Sequence, residues 1–336
     1  MVNIFDVAKL ANVSIATVSR VTSNKEGVNE KTRASVIEAM DKLGYRPNTA
    51  ARTLRMAKSN IIIVLMLNIK NSFYSEYIRG LEEVARESGY FLLIGSTNGD
   101  KEKENNYLEL IQDSRVDGVI LTTAGIMDEK AVQKINENSP TVLTFDYVLD
   151  PHIPSISIDN ESASRKITNH LISLGHERIA HITGHMERIQ SQTRLNGYKQ
   201  ALSQHNLEIN ESLIQEGGYL FEDGYRAASK LLSFDQPPTA IYGGNDSLAI
   251  GALKAIHEAG LRVPEDVALV GFDDLDIAHY TTPSLTTIHQ PRYEIGKRAM
   301  TLLLQKINKE TISKSHIILE DELIIRESCG HKLTMK

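Results

Sequence analysis

Apolar residues in the first 45 positions recur at helical spacing, and beyond residue 59 they gather into short runs separated by amphipathic stretches. Val7, Ala8, Leu10 and Ala11 form one stripe, and Val13 to Val21 form a second. A third spans Thr32 to Leu43, where Val36, Ile37, Met40 and Leu43 fall at i, i+1, i+4 and i+7. Ser14 is placed to cap the second helix, because its hydroxyl can accept from an orphan backbone N–H. Asn29 or Glu30 does the same for the third, and Gly44 closes it. After Pro47, the segment Asn48 to Lys58 permits a helix but is shorter than the ~12–15 residues an isolated helix needs. It reads as a solvated linker, or as a hinge that turns helical when a partner holds it.

Beyond Ser59 strands alternate with helices. The strands are expected at Ile61–Leu67, Phe91–Ser96, Gly118–Thr122, Thr141–Phe145, Ser155–Ile158, Arg178–Thr183, Leu213–Glu216, Ala240–Tyr242 and Val267–Phe272. Amphipathic helices fit Ser75–Ser88, Lys101–Ser114, Asn160–Leu174, Arg194–His205, Phe221–Ser233 and Asn245–Ala259. Such alternation implies βαβ units and parallel sheets. This part is too long for one comfortable core, and the series restarts after Asp159. Two α/β subdomains with a ligand cleft between them are therefore expected.

Composition adds exclusions. No apolar run nears the ~18 residues of a membrane-spanning helix, and the N-terminus lacks a secretory pattern. The single cysteine, Cys329, excludes an internal disulfide and a Cys-based zinc site. A cytosolic protein without a membrane partner is expected. The net charge of −6 is unevenly spread: residues 1–58 carry ten Lys and Arg against five acids, +5, which leaves −11 on the rest. A small basic module on an acidic body indicates that only the head meets a polyanion.

Asp6 to Val21 has the form of a helix-turn-helix. Ala8 is small enough for close helix approach, Val13 plugs the turn and Val18 faces the core. The start of the second helix then exposes Ile15, Ala16 and Thr17, with Ser19 and Arg20 along the same side. Such a helix start reaches base edges in the major groove, while Ser, Thr and Asn nearby bind phosphates. A three-helix protein-binding module is the alternative. In the body, His176, His181 and His185 invite a metal reading, but His181 falls in a strand, where a spacing of four does not gather ligands. No dinucleotide fingerprint follows a strand, and neither a phosphate-binding loop nor a nucleophile elbow occurs. His289, in a loop before Pro291, reads as structural rather than as a catalytic base. No enzyme, cofactor or metal is expected.

The stretches DVAKLANVSIATVSRV, KTRASVIEAMDKLGYRPNTAARTLR, NSFYSEYIRGLEE, SISIDN, GHERIAHITG, PPTAIYGGNDSLAIGALKAIHEAGLRVPEDVALVGFDD and TTPSLTTIHQPRYEIGKRAM resemble the lactose/galactose-repressor (LacI–GalR) family over essentially the whole length. Some look most like the purine and cytidine repressors. The resemblance implies an all-α helix-turn-helix head over residues 1–46, a hinge over 47–59 and an α/β body over 60–336. That body would hold two Rossmann-like parallel-sheet subdomains of the periplasmic-binding-protein type, 60–160 plus 291–318 and 161–290 plus 319–330. The resemblance further implies a homodimer, with a tetramer left open, on a palindromic double-stranded operator, and a small-molecule effector of the nucleoside, purine or sugar type.

Carried over residue by residue, the DNA contacts fall on Ser14, Ile15, Ala16, Thr17, Ser19, Arg20, Asn24, Asn48, Ala51, Leu54 and Arg55. The effector contacts fall on Phe73, Tyr74, Tyr147, Arg188, Gln190, Arg194, Tyr219, Asn245, Asp246 and Asp273. Ile15 and Ala16 occupy the family's base-reading pair and cannot make bidentate hydrogen bonds, so specificity shifts to Arg20 and DNA shape. Phe73, Tyr74 and Asp246 could equally be core or cap residues. A periplasmic-type sugar-binding protein, a dehydrogenase or sugar-modifying enzyme, and a regulator driven by a phosphocarrier protein are the competing readings. Leu54 is the bulky apolar residue of the hinge, suited to wedge between base steps. Leu54→Ala should weaken specific DNA binding and reduce DNA bending, measured by gel shift and ring-closure assays. An unchanged bend would remove the wedge.

Overall fold

The computed structural model describes residues 2–22, 27–45, 58–98, 100–112, 116–122, 129–145, 150 and 152–330. The chain divides into two compact units, residues 1–59 and 60–336. Asn24, Asn48, Ala51, Leu54, Arg55 and Tyr147, together with the expected hinge helix, lie outside the described residues.

The head holds three helices: α1 (Ile4–Leu10), α2 (Ile15–Thr22) and α3 (Glu30–Leu43). The first begins at Ile4 because Asn3 caps it, with the Asn3 side chain accepting from Phe5 and Asp6 and the Asp6 carboxylate accepting from the Asn3 N–H. Ser14 Oγ accepts from the Thr17 N–H at 3.1 Å, and Asn29 Oδ1 accepts from the Thr32 N–H at 2.8 Å. Gly44 ends α3 in the left-handed region, at φ 62°. Val7, Ala8, Val18, Val21, Val36 and Ala39 meet in the small core.

The body opens on β1 (Ile61–Met66), α4 (Tyr74–Glu87), β2 (Phe91–Ser96), α5 (Lys101–Gln112), β3 (Gly118–Leu121), α6 (Glu129–Asn138), β4 (Thr141–Thr144) and β5 (Ser155–Ile158). There follow α7 (Asn160–Ser173), β6 (Ile179–Thr183), α8 (Ile189–Gln204), β7 (Ile214–Glu216), α9 (Phe221–Leu232), β8 (Ala240–Gly243), α10 (Asp246–Glu258) and β9 (Ala268–Val270). The chain ends with α11 (Asp276–Tyr280), β10 (Thr287–His289), α12 (Arg292–Ile307), β11 (His316–Leu319) and β12 (Glu322–Ile324). The first sheet is parallel in the order β11-β5-β4-β3-β1-β2, and the second is parallel in the order β7-β6-β8-β9. β10 and β12 form a separate antiparallel pair. α12 and β11 thus return the chain to the first sheet before β12 joins β10.

β1 shows why the run around Ile61 is wholly apolar. Ile62, Val64 and Met66 enter one core cluster, Ile63 and Leu65 another, so both faces of the strand are covered. Several sequence-based boundaries move. The helix expected at Arg194 starts at Ile189, because its first turn faces the cleft and carries no apolar period. The strand expected over Val267–Phe272 shortens to Ala268–Val270, since Gly271 and Asp273 turn to donate to Thr286 and Ile288 carbonyls. Leu213 closes a short 3₁₀ turn instead of starting β7, and His289 ends β10 instead of lying in a loop.

Glycines let helices touch backbone to backbone. A Cβ on Gly251 of α10 would lie 1.9 Å from the Phe221 carbonyl oxygen, and one on Gly224 of α9 2.0 Å from that of Leu248. Gly251→Ala should therefore force α9 and α10 apart and destabilise the body by about 1–3 kcal/mol, read as a lower urea midpoint. An unchanged midpoint would show that the crossing yields without cost.

Candidate functional site

In the head, α2 presents Ala16 and Arg20 to solvent, and Ser14 stands exposed at its start. Ile15 differs from expectation: it is half-buried and packs against the small core instead of standing free. Thr17 is half-buried too, with its hydroxyl 2.9 Å from Ser14 Oγ, so part of its hydrogen-bonding capacity serves the helix start. Ser19 is half-buried, and its carbonyl accepts from the Thr22 hydroxyl. Arg20 is the exposed charged donor on this helix.

In the body, a cleft of about 890 Å³ opens where the carboxyl ends of strands from both sheets face each other. Leu67 to Asn71 follow β1, Asn98 follows β2 and Thr122 follows β3, while Tyr74 begins α4. From the other sheet come His185, Glu187 and Arg188 after β6, Gln190 in α8, Glu216 at the end of β7, and Tyr219, Leu220 and Asp223. This is where open α/β sheets bind ligands, because loops there can vary without disturbing the core. Two tyrosine rings, several amides and charges of both signs line it, a surface that can cover apolar ring faces and hydrogen-bond polar edges.

The structure separates the ten expected effector residues. Tyr74, Arg188, Gln190 and Tyr219 line the cleft. Gln190 also crosses it, donating through Nε2 to the Phe145 carbonyl at 2.8 Å. Arg194 borders a smaller cavity that shares Gln190 and Tyr219 with the cleft. Its Nε donates to Asn160 Oδ1 at 2.9 Å and its Nη1 to the Gly244 carbonyl at 2.6 Å, with the guanidinium 3.7 Å above the Phe272 ring. Asp273 is buried beside it, 3.9 Å from Nη1, and its Oδ1 accepts from Gln290 Nε2 at 2.7 Å.

Phe73, Asn245, Asp246 and Asp273 line neither space. Phe73 belongs to the core, edge-on to Tyr74 and Phe145. Asn245 caps α10 by accepting from the Leu248 N–H. Asp246 is fully buried and spends both carboxylate oxygens internally, on the Leu275 N–H and the Thr287 hydroxyl. Sequence reasoning missed Asn68, Lys70, Asn98, Thr122, Glu187, Glu216 and Asp223, whose shared signal is a place just after a strand or near the start of the following helix. Among the described residues, no three His, Cys, Asp or Glu side chains come together to hold a metal, and no helix is long and apolar enough to cross a membrane.

Comparison with known proteins bears on both units. Residues 3–48 match the model for bacterial regulatory proteins of the lacI family, and residues 168–329 match a periplasmic binding protein-like domain. The chain is 37% identical to catabolite control protein A of Priestia megaterium, covering 97% of this chain and 99% of that one. It is 36% identical to the HTH-type transcriptional repressor CytR of Escherichia coli K12, over 96% and 95% of the two chains. The lac repressor dimer bound to operator and the anti-inducer ONPF superposes with a TM-score of 0.85 at 28% identity, covering 98% and 99%. A helix-turn-helix head on a two-sheet ligand-binding body defines a DNA-binding regulator of transcription. This chain belongs to the lacI family of bacterial regulatory proteins.

The buried pair of Arg194 and Asp273 makes stability depend on pH. Burial pushes the Asp273 carboxyl up to about 6, against the opposing pull of the Arg194 guanidinium and the Gln290 amide. The folded value lies above the ordinary one of 3.8, so the folded chain keeps a proton that the unfolded chain has already released. The contribution of this group is full below about pH 4 and is lost as pH rises through about 6. Burial moves Asp246 in the same direction. Asp273→Asn should therefore flatten, without abolishing, the fall in thermal midpoint across that window. A slope equal to the parent's would mean that Asp273 is ionised throughout.

Proposed function

We propose that this chain is a homodimeric, cytoplasmic repressor whose heads hold a palindromic operator and whose cleft takes a small hydroxylated metabolite that changes that hold. The observation that carries the reading is the cleft itself, walled by strand ends and loops of both sheets. A ligand touching both walls favours one separation of the subdomains, and it can shift the equilibrium only by its differential affinity for the two states. Tyr74 and Tyr219 supply faces for a sugar or nucleoside ring, while Arg188 and Gln190 supply polar contacts. The lac repressor, similar over nearly the whole chain, is described as bound to both operator and a small anti-inducer, and CytR is a transcriptional repressor. No catalytic group and no cofactor enter this reading.

The direct experiment is operator binding by fluorescence anisotropy in the presence of nucleosides, free bases, sugars and sugar phosphates. At least one compound should change operator affinity tenfold or more. A panel that leaves affinity unchanged, with the phosphocarrier protein shifting it instead, would replace the small-molecule reading by the protein one. In the head, Arg20→Ala should cost about 1–3 kcal/mol on the operator and relax the preference at one symmetric base position in each half-site. Equal losses on operator and random DNA would make Arg20 a phosphate contact.

A further inference from the structure

His181 sits in the middle of β6 with no exposure to solvent. Its ring stacks on Tyr242, with centroids 4.3 Å apart and planes at 15°. Nδ1 lies 3.0 Å from the Tyr242 carbonyl oxygen, which can only accept, so Nδ1 carries the proton and donates. That leaves Nε2 as a bare lone pair. Among the described residues it has no hydrogen-bond partner. A buried acceptor left in this state carries an uncompensated desolvation cost, so something that the protein does not supply is expected to meet it.

The place it faces is specific. His181 borders the small cavity also lined by Gly184, Ser191, Arg194 and Gly244, and this cavity shares Gln190 and Tyr219 with the effector cleft. The cavity holds about 10 Å³, room for about one water-sized group. A Cβ at Gly184 would fall 2.6 Å from Ser191 Oγ and 2.8 Å from the Tyr219 ring, so a larger residue would crowd this cavity. Arg194 brings a guanidinium to the same cavity, with Nε and Nη1 already committed to Asn160 and Gly244.

We propose that His181 Nε2 is an effector-specificity contact: together with Arg194 it receives one hydroxyl group of the ligand in the small cavity beside the cleft. The inference rests on the effector reading of the cleft given above. A hydroxyl is the group that satisfies both walls, since it donates to the Nε2 lone pair and accepts from the guanidinium. A carboxylate or phosphate oxygen would set an acceptor against an acceptor at His181, and an ammonium would meet the Arg194 charge. Burial, aided by the Arg194 charge, holds the His181 imidazole down to about 4. The ring is therefore neutral, and an acceptor, at physiological pH.

The test uses the full chain and matched probes: adenosine with its 2′-, 3′- and 5′-deoxy analogues, and D-glucose with its monodeoxy analogues, by isothermal titration calorimetry. The parent should bind at least one hydroxylated probe, and one deoxy position should weaken that binding about tenfold. His181→Leu should impose the same tenfold loss on the hydroxylated probe and none on that deoxy analogue. His181→Gln, which keeps an acceptor, should restore part of it. Equal losses on both probes, or no loss on either, would overturn the role of His181 while leaving the effector reading standing. Binding of none of these probes would overturn the hydroxylated-ligand reading as well. Ring-¹⁵N NMR of the unliganded parent gives a check that needs neither a variant nor a probe. It should show a protonated Nδ1 and a bare Nε2 between pH 5 and 8, and a proton on Nε2 would overturn the proposal.

Discussion

The guanidinium of Arg194 ties together three segments at the floor of the small cavity beside the cleft. It reaches the start of α7 through Asn160, the end of β8 through the Gly244 carbonyl, and the segment after β9 through the Phe272 ring. These segments are far apart in sequence. A planar cation with donors in a fixed fork and a face for stacking suits this role, whereas lysine offers one point charge and no face. The arrangement also decides what Arg194 has left for a ligand. Two of its five N–H donors are spent inside the protein, on Asn160 and Gly244, and its nearest carboxylate, Asp273, is closed in by Gln290.

Backbone strain gathers around the same floor. Asp273 and Asp274 take consecutive positive φ values of 116° and 52°, and Phe145 takes 63°. Asp tolerates the left-handed region that Asp274 occupies, but the φ of Asp273 lies beyond it and a bulky Phe seldom enters it, and such angles persist where the surroundings hold them. Here the hold is visible. The Asp274 carboxylate accepts from Arg326 and His289, its carbonyl accepts from Arg292, and the Phe145 carbonyl accepts from Gln190.

Much of this was legible from the chain. The apolar run at Ile61 could only be a strand covered on both faces, and the stripes before residue 45 could only be short helices packed on one another. The position of Asp273 just past a buried strand was legible for the same reason. What escaped was everything set by partners distant in sequence. Asp246 and Asp273 look alike as acidic residues beside apolar stretches, yet one spends its oxygens on Leu275 and Thr287 and the other meets Arg194. Ile15 carries the pattern of an exposed recognition position, and only the three-helix packing turns it toward the core. The start of α8 was missed because a turn that faces a polar cleft shows no apolar period. His181 was weighed as a metal ligand, and its unpartnered nitrogen becomes visible only once Tyr242 has taken the other.

The proposed function requires symmetric, sequence-specific binding to DNA. Selection of DNA sites from a random pool by the full-length chain, read by sequencing, tests it most directly. The expected result is enrichment of a two-fold symmetric sequence whose half-sites are about one helical turn apart. Enrichment of no sequence above the starting pool, or of one without internal symmetry, would contradict it.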